Sequence, residues 1–274
     1  MITLIIALFT PKLKELFDRQ FQLFKLQSEH EYEQRKEVKK ILSKNKIQLL
    51  NACEELNHRL WNFYGENYLK KWHKIDVIDV YEHYYFVSFI YRFIAVFAWV
   101  RKIEKEMVYL DTTFALQEDL DFIKFLRLLP QILYDAELYK GYSYERSMAT
   151  DHFFRGQLEN LAEKFITEDR VCDFTDFCKN FNAYIDEIIP VCNFLNDISP
   201  NEDRLRWDRL QILHITIMAF LNTFGYDFQY TDVDQIDKIT SIPRKSRLLN
   251  NFLDMVRRMK LENQIELKKY WRQL

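Results

Sequence analysis

The stretch FVSFIYRFIAVFAWV, residues 86–100, is apolar except at Ser88 and Arg92. It is too long for an ordinary strand and shows no polar–apolar alternation, so it predicts a helix. A helix that is apolar on every side has to be enclosed by other helices. A membrane-spanning reading is disfavoured by Arg92 in mid-run and by His83, Arg101 and Lys102 at the flanks, because charge inside hydrocarbon is costly. The run therefore reads as the central core helix, part of a longer helix from Asp76 to about Asp111. Asp76 and Asp79 stand at its positive dipole end.

Outward from this segment, helical periodicity predicts helices over about Leu116–Ala136 with a kink at Pro130, Phe153–Thr167, Phe174–Phe194, Arg204–Phe224 and Arg244–Trp271. Glu137–Asp151, Asn193–Asp203 and Gly225–Pro243 read as connections. His73, between Trp72 and Lys74, reads as a surface residue. No segment has a convincing strand pattern, so the fold class is all-α: a long N-terminal helix leading into an aromatic-rich multi-helix bundle. With 274 residues, 48% hydrophobic and 23 Phe and 16 Tyr among them, the chain can bury a large core, and disorder over most of its length is excluded. Only four glycines occur, at 65, 141, 156 and 225. Phosphate-binding loops cluster glycines so that backbone amides can approach an anion, so P-loop, Rossmann and kinase readings are excluded.

Three regions follow. Residues 1–10 form an apolar tip, 11–63 a helical arm, and 64–274 a helical body ending in a basic amphipathic helix. Eight nearly unbroken apolar residues at 2–9 are too few to span a bilayer. The tip either packs on the body or a partner, dips into a membrane surface, or ends a longer span. Thr10-Pro11 reads as the cap and first turn of the arm, followed by Lys12, Lys14 and Arg19. Leu42, Leu49 and Leu56 fall seven apart, with Cys53 and Leu60 beside them, giving a heptad-like seam. The section 27–40 is almost entirely polar and is expected to project into solvent. Charge is uneven: 11–62 carries +3, 244–272 carries +6, and 63–243 carries −11. Basic ends around an acidic body suit self-association, or contact with an anionic membrane surface. The basic last helix, with Leu248, Phe252, Val256 and Met259 on one side, is expected to dock on that body. The four single cysteines read as reduced structural thiols, and no zinc pattern is present.

Three stretches carry a resemblance. Leu49–Asn62 is similar to a helix pattern LLxAAxxLxxRLxN. Tyr91–Asp111 is similar to YRFxxxFxWVxxLxxExxxLD, with Lys102-Ile103 where a Glu-Ile pair is usual. Phe154–Glu159 is similar to FRGxQ in its Phe-Arg-Gly, with Gln157 one position before the pattern's Gln. In this order and spacing they resemble an uncharacterised family of bacterial helical proteins that often begin with a short membrane segment. The likeness covers roughly residues 40–180 and implies architecture and bacterial origin; it leaves the last 80 residues uncovered and implies no activity.

Arg92 and Arg155 are charges in unusual settings, since a buried arginine needs a carboxylate or several acceptors. Each is expected either to form a salt bridge, with Asp111 or Glu159 as candidate partners, or to line an anion pocket together with Arg59, with Gln157 reading the ligand. The spacing Arg209…His214 fits the Arg-x(4–6)-His pattern of HEPN-type ribonucleases, but chance alone gives about as many such matches, and Leu210 stands where a polar residue is expected. No cofactor or metal is expected, and a pI near 6.3 argues against nucleic acid. The expected function is a non-enzymatic, self-assembling interaction protein, a homo-oligomer in the cytoplasm or at the cytoplasmic face of a membrane. The alternative is a HEPN-like ribonuclease or an anion- or nucleotide-sensing helical domain, in a setting such as phage defence.

Overall fold

The computed structural model describes residues 2–64, 73–76, 82–147, 149–241 and 246–271; side chains are described from residue 14 onward, and as far as 237 and 269 in the helices ending there. The side chains of the apolar tip, residues 2–9, and Asp79 and Arg244 lie outside the described residues. The described chain is all-helical: α1 (Ile2–Trp61), α2 (Tyr84–Glu106), α3 (Gln117–Tyr134), α4 (Arg155–Lys164), α5 (Phe174–Lys179), α6 (Phe181–Leu195), α7 (Leu205–Phe224), α8 (Val233–Ser241), α9 (Leu249–Arg258) and α10 (Ile265–Trp271).

The apolar run of 86–100 is the heart of α2, which packs against α1, α3, α4, α5 and α6. Fourteen of its residues are buried, Phe86, Phe89, Phe93 and Phe97 among them. The helix is shorter than its sequence predicts. It begins at Tyr84 rather than Asp76 and ends at Glu106, and Asp111 instead caps the short 3-10 turn Thr112–Phe114, its side chain accepting from Thr113 N at 2.9 Å. A short aspartate side chain competes for backbone N–H groups and so favours caps over helix interiors.

A second enclosed helix, α7, packs on α1, α3, α8 and α10. Every residue from Leu205 to Leu221 is buried, polar ones included. Its charged side chains meet partners on neighbouring elements, as burial demands, whereas Trp207 Nε1 and His214 Nδ1 have no hydrogen-bond partner among the described residues. Arg206 donates to the carbonyls of Asn193, Phe194 and Asn196 at 2.8–3.0 Å and pairs with Glu202. Asp208 accepts from Arg247 N at 2.6 Å and from its guanidinium.

Other boundaries shift for local reasons. The stretch Phe174–Phe194 is two helices meeting at Asn180. The expected last helix is also two, parted after Arg258. There Lys260 N donates to Arg257 O and Leu261 N to Val256 O, with Lys260 at φ +54°. This pair of bonds ends a helix through one left-handed residue and a buried hydrophobic follower, here Leu261. Thr10-Pro11 does not open the arm, because α1 already runs from Ile2. His73 is buried rather than exposed, its ring 5.1 Å from Phe63 and its carbonyl accepting from Asp197 N. Pro130 and Pro190 both lie inside helices.

The arm divides into two halves. From Val38 on, α1 buries Val38, Leu42, Leu49, Leu50, Cys53, Leu56 and Leu60 against the body. Asn45 and Lys44 reach Glu106 of α2, which also pairs with the buried Lys102. N-terminal to this, three side chains touch the turn after α2: the His30 ring lies on Phe114, Gln34 accepts from Asp111 N, and Arg35 donates to Phe114 O. Contact with the body thus begins inside the section 27–40. Every side chain from Lys14 to His30 is exposed, a projection of about 24 Å at 1.5 Å per residue.

Candidate functional site

The structure distributes the residues singled out from sequence over three separate places. Arg209 is fully buried; it donates from Nε to the Tyr139 hydroxyl at 2.9 Å, from its other nitrogens to the carbonyls of Ile132 and Asp135, and lies over the Tyr139 ring. His214, also buried, has Nε2 at 2.8 Å from Asn57 Oδ1 and packs edge-on to Trp61. Burial pushes its pKa down to about 3. Neither side chain reaches solvent, and they share no hydrogen-bond partner, so a substrate has no approach to this pair.

Arg59 and Arg92 share Ser88. Arg59 donates to Ser88 Oγ at 3.0 Å and stacks 3.9 Å from the Tyr85 ring; Arg92 donates to Ser88 O and pairs with Glu55 at 3.5 Å. Gln157 accepts from Phe154 N at 3.4 Å, closing the first turn of α4. Arg155 pairs with Glu159 at 2.7 Å and lines a different site. The three arginines therefore do not share a pocket.

The site that Arg155 lines is a cleft of about 790 Å³ between α2, α3, α4 and the segment just past α9. Six basic side chains line it, Arg101, Lys124, Arg127, Arg155, Arg258 and Lys260, against two carboxylates, Glu104 and Glu159. Burial holds Glu104 above the usual carboxylate range, although Arg101 and Arg127 pull it down. The wall is mixed, with Met107, Pro130, Tyr134 and Met259 beside the charges. These cations come from four segments far apart in the chain, so no local motif announces them.

The second candidate is the bare half of α1. Phe17, Phe21 and Phe24 are each about two-thirds exposed (68, 67 and 68%), and Leu16, Leu23, Leu26 and Tyr32 are exposed beside them. Phe17, Phe21, Phe24 and Ser28 are spaced 4, 3 and 4, which places them on one face. A shallow groove runs along it, lined by Phe21, Phe24, Lys25, Ser28, Glu29 and Tyr32. The same spacing passes through Glu31 and Arg35 to Val38, Leu42, Asn45, Leu49, Ala52 and Leu56, the face buried on the body. One heptad register thus spans the covered and uncovered halves. It was readable in the sequence by continuing the seam of leucines backward across its polar interruption.

Among the described residues no cluster of three or more His, Cys, Asp or Glu side chains is placed to hold a metal ion, and no helix is long and apolar enough to cross a membrane. Burial pushes the thiols of Cys172 and Cys192 up to about 12 and Cys53 higher still, which leaves them unreactive near neutral pH. In comparisons with known proteins, no family model, no curated protein and no solved structure matches this chain.

Proposed function

We propose that this chain works by interaction rather than catalysis, assembling with a second copy of itself through the projecting half of α1. The observation that carries this reading is the row of exposed phenylalanines in register with the buried seam of the same helix. Large apolar side chains left together on a surface mark contact sites.

Charge selects the partner and its direction. In an antiparallel pair of these helices, Phe21 of one copy faces Phe24 of the other, and Phe17 faces Ser28. In that register Lys14 meets Glu31, and Asp18 meets Lys25, each pair occurring twice by symmetry. Gln20 lies opposite Gln27. A parallel pair would instead set Lys14 on Lys14 and Glu31 on Glu31, which repel. Six phenylalanine rings would cover on the order of 600–900 Å² of what is now exposed. Added to the flanking leucines, this approaches the roughly 1,200 Å² of a small specific interface, which fits a pair that forms reversibly at micromolar concentration.

Light scattering of the full chain across a concentration series tests this. The expected result is a monomer–dimer equilibrium that Phe21→Glu with Phe24→Glu abolishes while helicity is kept. A chain that stays monomeric at all concentrations, yet floats with anionic lipid vesicles through the same phenylalanines, would overturn it and assign the face to a membrane surface.

A further inference from the structure

Independently of the arm, we infer that the cleft between α2, α3, α4 and the end of α9 is a binding site for a small, multiply phosphorylated molecule. Six cations and two carboxylates line it, and Glu163, Asp121 and Asp135 just outside the lining pair with three of the cations, so the cleft keeps a small positive excess. Four of the cations are partly committed: Arg101 to Glu163 at 2.7 Å, Arg155 to Glu159 at 2.7 Å, Lys124 to Asp121 at 2.9 Å, and Arg258 to Asp135 at 3.5 Å. Arg127 and Lys260 have no ion pair, and their side chains no hydrogen bond, among the described residues. Two cations outside any ion pair, Arg127 on α3 near Glu104 and Lys260 just past α9, line one cleft, and a ligand with several anionic oxygens would bridge them.

Lys260 adds a second observation. It occupies the left-handed position that ends α9, at φ +54°, where glycine would be free of strain and a lysine is held at some cost. The backbone there is fixed from both sides, by the bonds to Arg257 O and from Leu261 N and by Lys124 Nζ donating to Lys260 O at 3.0 Å. A charged side chain in the lining of the cleft is thus carried by a rigid, strained turn, as functional positions often are.

Size and chemistry narrow the ligand. A volume of about 790 Å³ falls in the range of small-molecule sites and far exceeds a lone phosphate. Arginines supply planar forks that match phosphate oxygens in pairs. Pro130, Tyr134 and Met259 offer apolar surface beside the charges, so the site admits either an inorganic oligophosphate or a nucleotide carrying a flat base.

The two sources are separated by titrating the full chain with tripolyphosphate and, in parallel, with ATP, both free of divalent metal, following heat of binding and thermal midpoint. The expected result is saturable binding with a midpoint rise of about 3–5 °C at a twentyfold excess over Kd, weakening as salt is raised. Arg127→Glu with Lys260→Glu should reduce affinity at least tenfold with the helical signal and the unliganded midpoint kept. Lys260→Gly should raise the unliganded midpoint and still weaken binding, which separates the ligand role of the side chain from its backbone strain. Tighter binding of ATP than of tripolyphosphate would assign the apolar wall to a base, and equal binding would assign the whole site to phosphate. Absence of saturable binding by both probes would overturn the inference, as would binding that the double variant leaves unchanged.

Discussion

The two halves of α1 are built on one heptad register and have opposite fates. From Val38 to Leu56 the a and d positions are Val38, Leu42, Asn45, Leu49, Ala52 and Leu56, and α2 and α7 cover them. From Phe17 to Ser28 the equivalent positions hold larger apolar groups, three phenylalanines, and nothing among the described residues covers them. Hydrophobicity alone would bury the second set first. What differs is reach: the body ends at the turn carrying Asp111 and Phe114, which touches His30, Gln34 and Arg35 and goes no further. An apolar face kept in register beyond the end of the described core is suited to a second surface.

The sharpest way to break this comparison is to remove one large side chain from each half. Leu56→Ala leaves a cavity against the body and should cost about 2–5 kcal/mol in urea unfolding. Phe21→Ala removes more apolar surface, yet should change the stability of the dilute monomer by only about 0.5 kcal/mol while weakening self-association. Equal losses of stability from the two changes would mean that the exposed half is covered within one chain.

The root of the arm offers a second cut. Glu106 joins Lys44 and Asn45 of α1 to the buried Lys102 of α2. Burial would raise its pKa, but the hydrogen bonds from Lys102 and Asn45 prevail and hold it below the usual carboxylate value. Glu106→Ala would strand a lysine that is 4% exposed. The expected cost is about 2–3 kcal/mol, below that of a fully enclosed pair because Glu106 is a quarter exposed. Lys102→Met in the same background should recover much of it, read as a return of the urea midpoint.

How far these features could be read from sequence follows from their physics. The run 86–100 announced α2, and the leucines at 42, 49 and 56 announced the buried half of the arm, because both signals are local and periodic. The enclosure of α7 was not legible: nothing local to Arg206, Asp208, Arg209, Gln211 and His214 shows that all of them are buried. Groups distant in the chain meet them, carbonyls of α3 and α6 for the arginines, Arg247 for Asp208 and Asn57 of α1 for His214, and such pairings span up to 157 positions, as between Asn57 and His214. The cleft was illegible for the same reason, its cations arriving from four distant segments. The cluster expected from Arg59, Arg92 and Arg155 does not form, since Arg59 and Arg92 settle on α1 and α2 while Arg155 opens α4.

Buried α7 also gives the body a pH response that the solvated arm lacks. His214 has its pKa lowered to about 3 by burial, and His152 to about 4 by burial and by Arg209. Both are neutral when folded, whereas in the unfolded chain they take a proton below about 6.5. Stability is therefore full above that value and falls as pH drops, by about 1.4 kcal/mol per pH unit for each histidine, His152 levelling off near 4 and His214 near 3. Urea midpoints at pH 7, 6 and 5 should show the fall, and His214→Phe should remove its own share of the slope, leaving those of His152 and of His73, whose pKa burial also lowers. A slope unchanged in that variant would mean that His214 already binds a proton in the folded chain. Arm pairing, built on Lys, Asp and Glu side chains in solvent, should be nearly constant over the same range.

The smallest expected effect is the most specific to the arm. Asp18 and Lys25 stand on the flank of the phenylalanine row and face each other only when two arms run antiparallel. Exposed pairs of this kind contribute little, about 0.2–1 kcal/mol each, but symmetry gives two of them and turns both repulsive when one residue is reversed. Asp18→Lys should therefore weaken pairing about three- to tenfold at low salt, and Lys25→Asp likewise. The double exchange, which restores both contacts with their signs swapped, should return to within about twofold of the original, and a mixture of the two single variants should associate more tightly than either alone. In a parallel pair Lys25 lies opposite Gln20 and Asp18 is far from any Lys25, so the double exchange would give no recovery; on a lipid surface the variants would follow net charge alone. The pattern of rescue thus decides both the identity and the direction of what covers the half of α1 that its own body leaves bare.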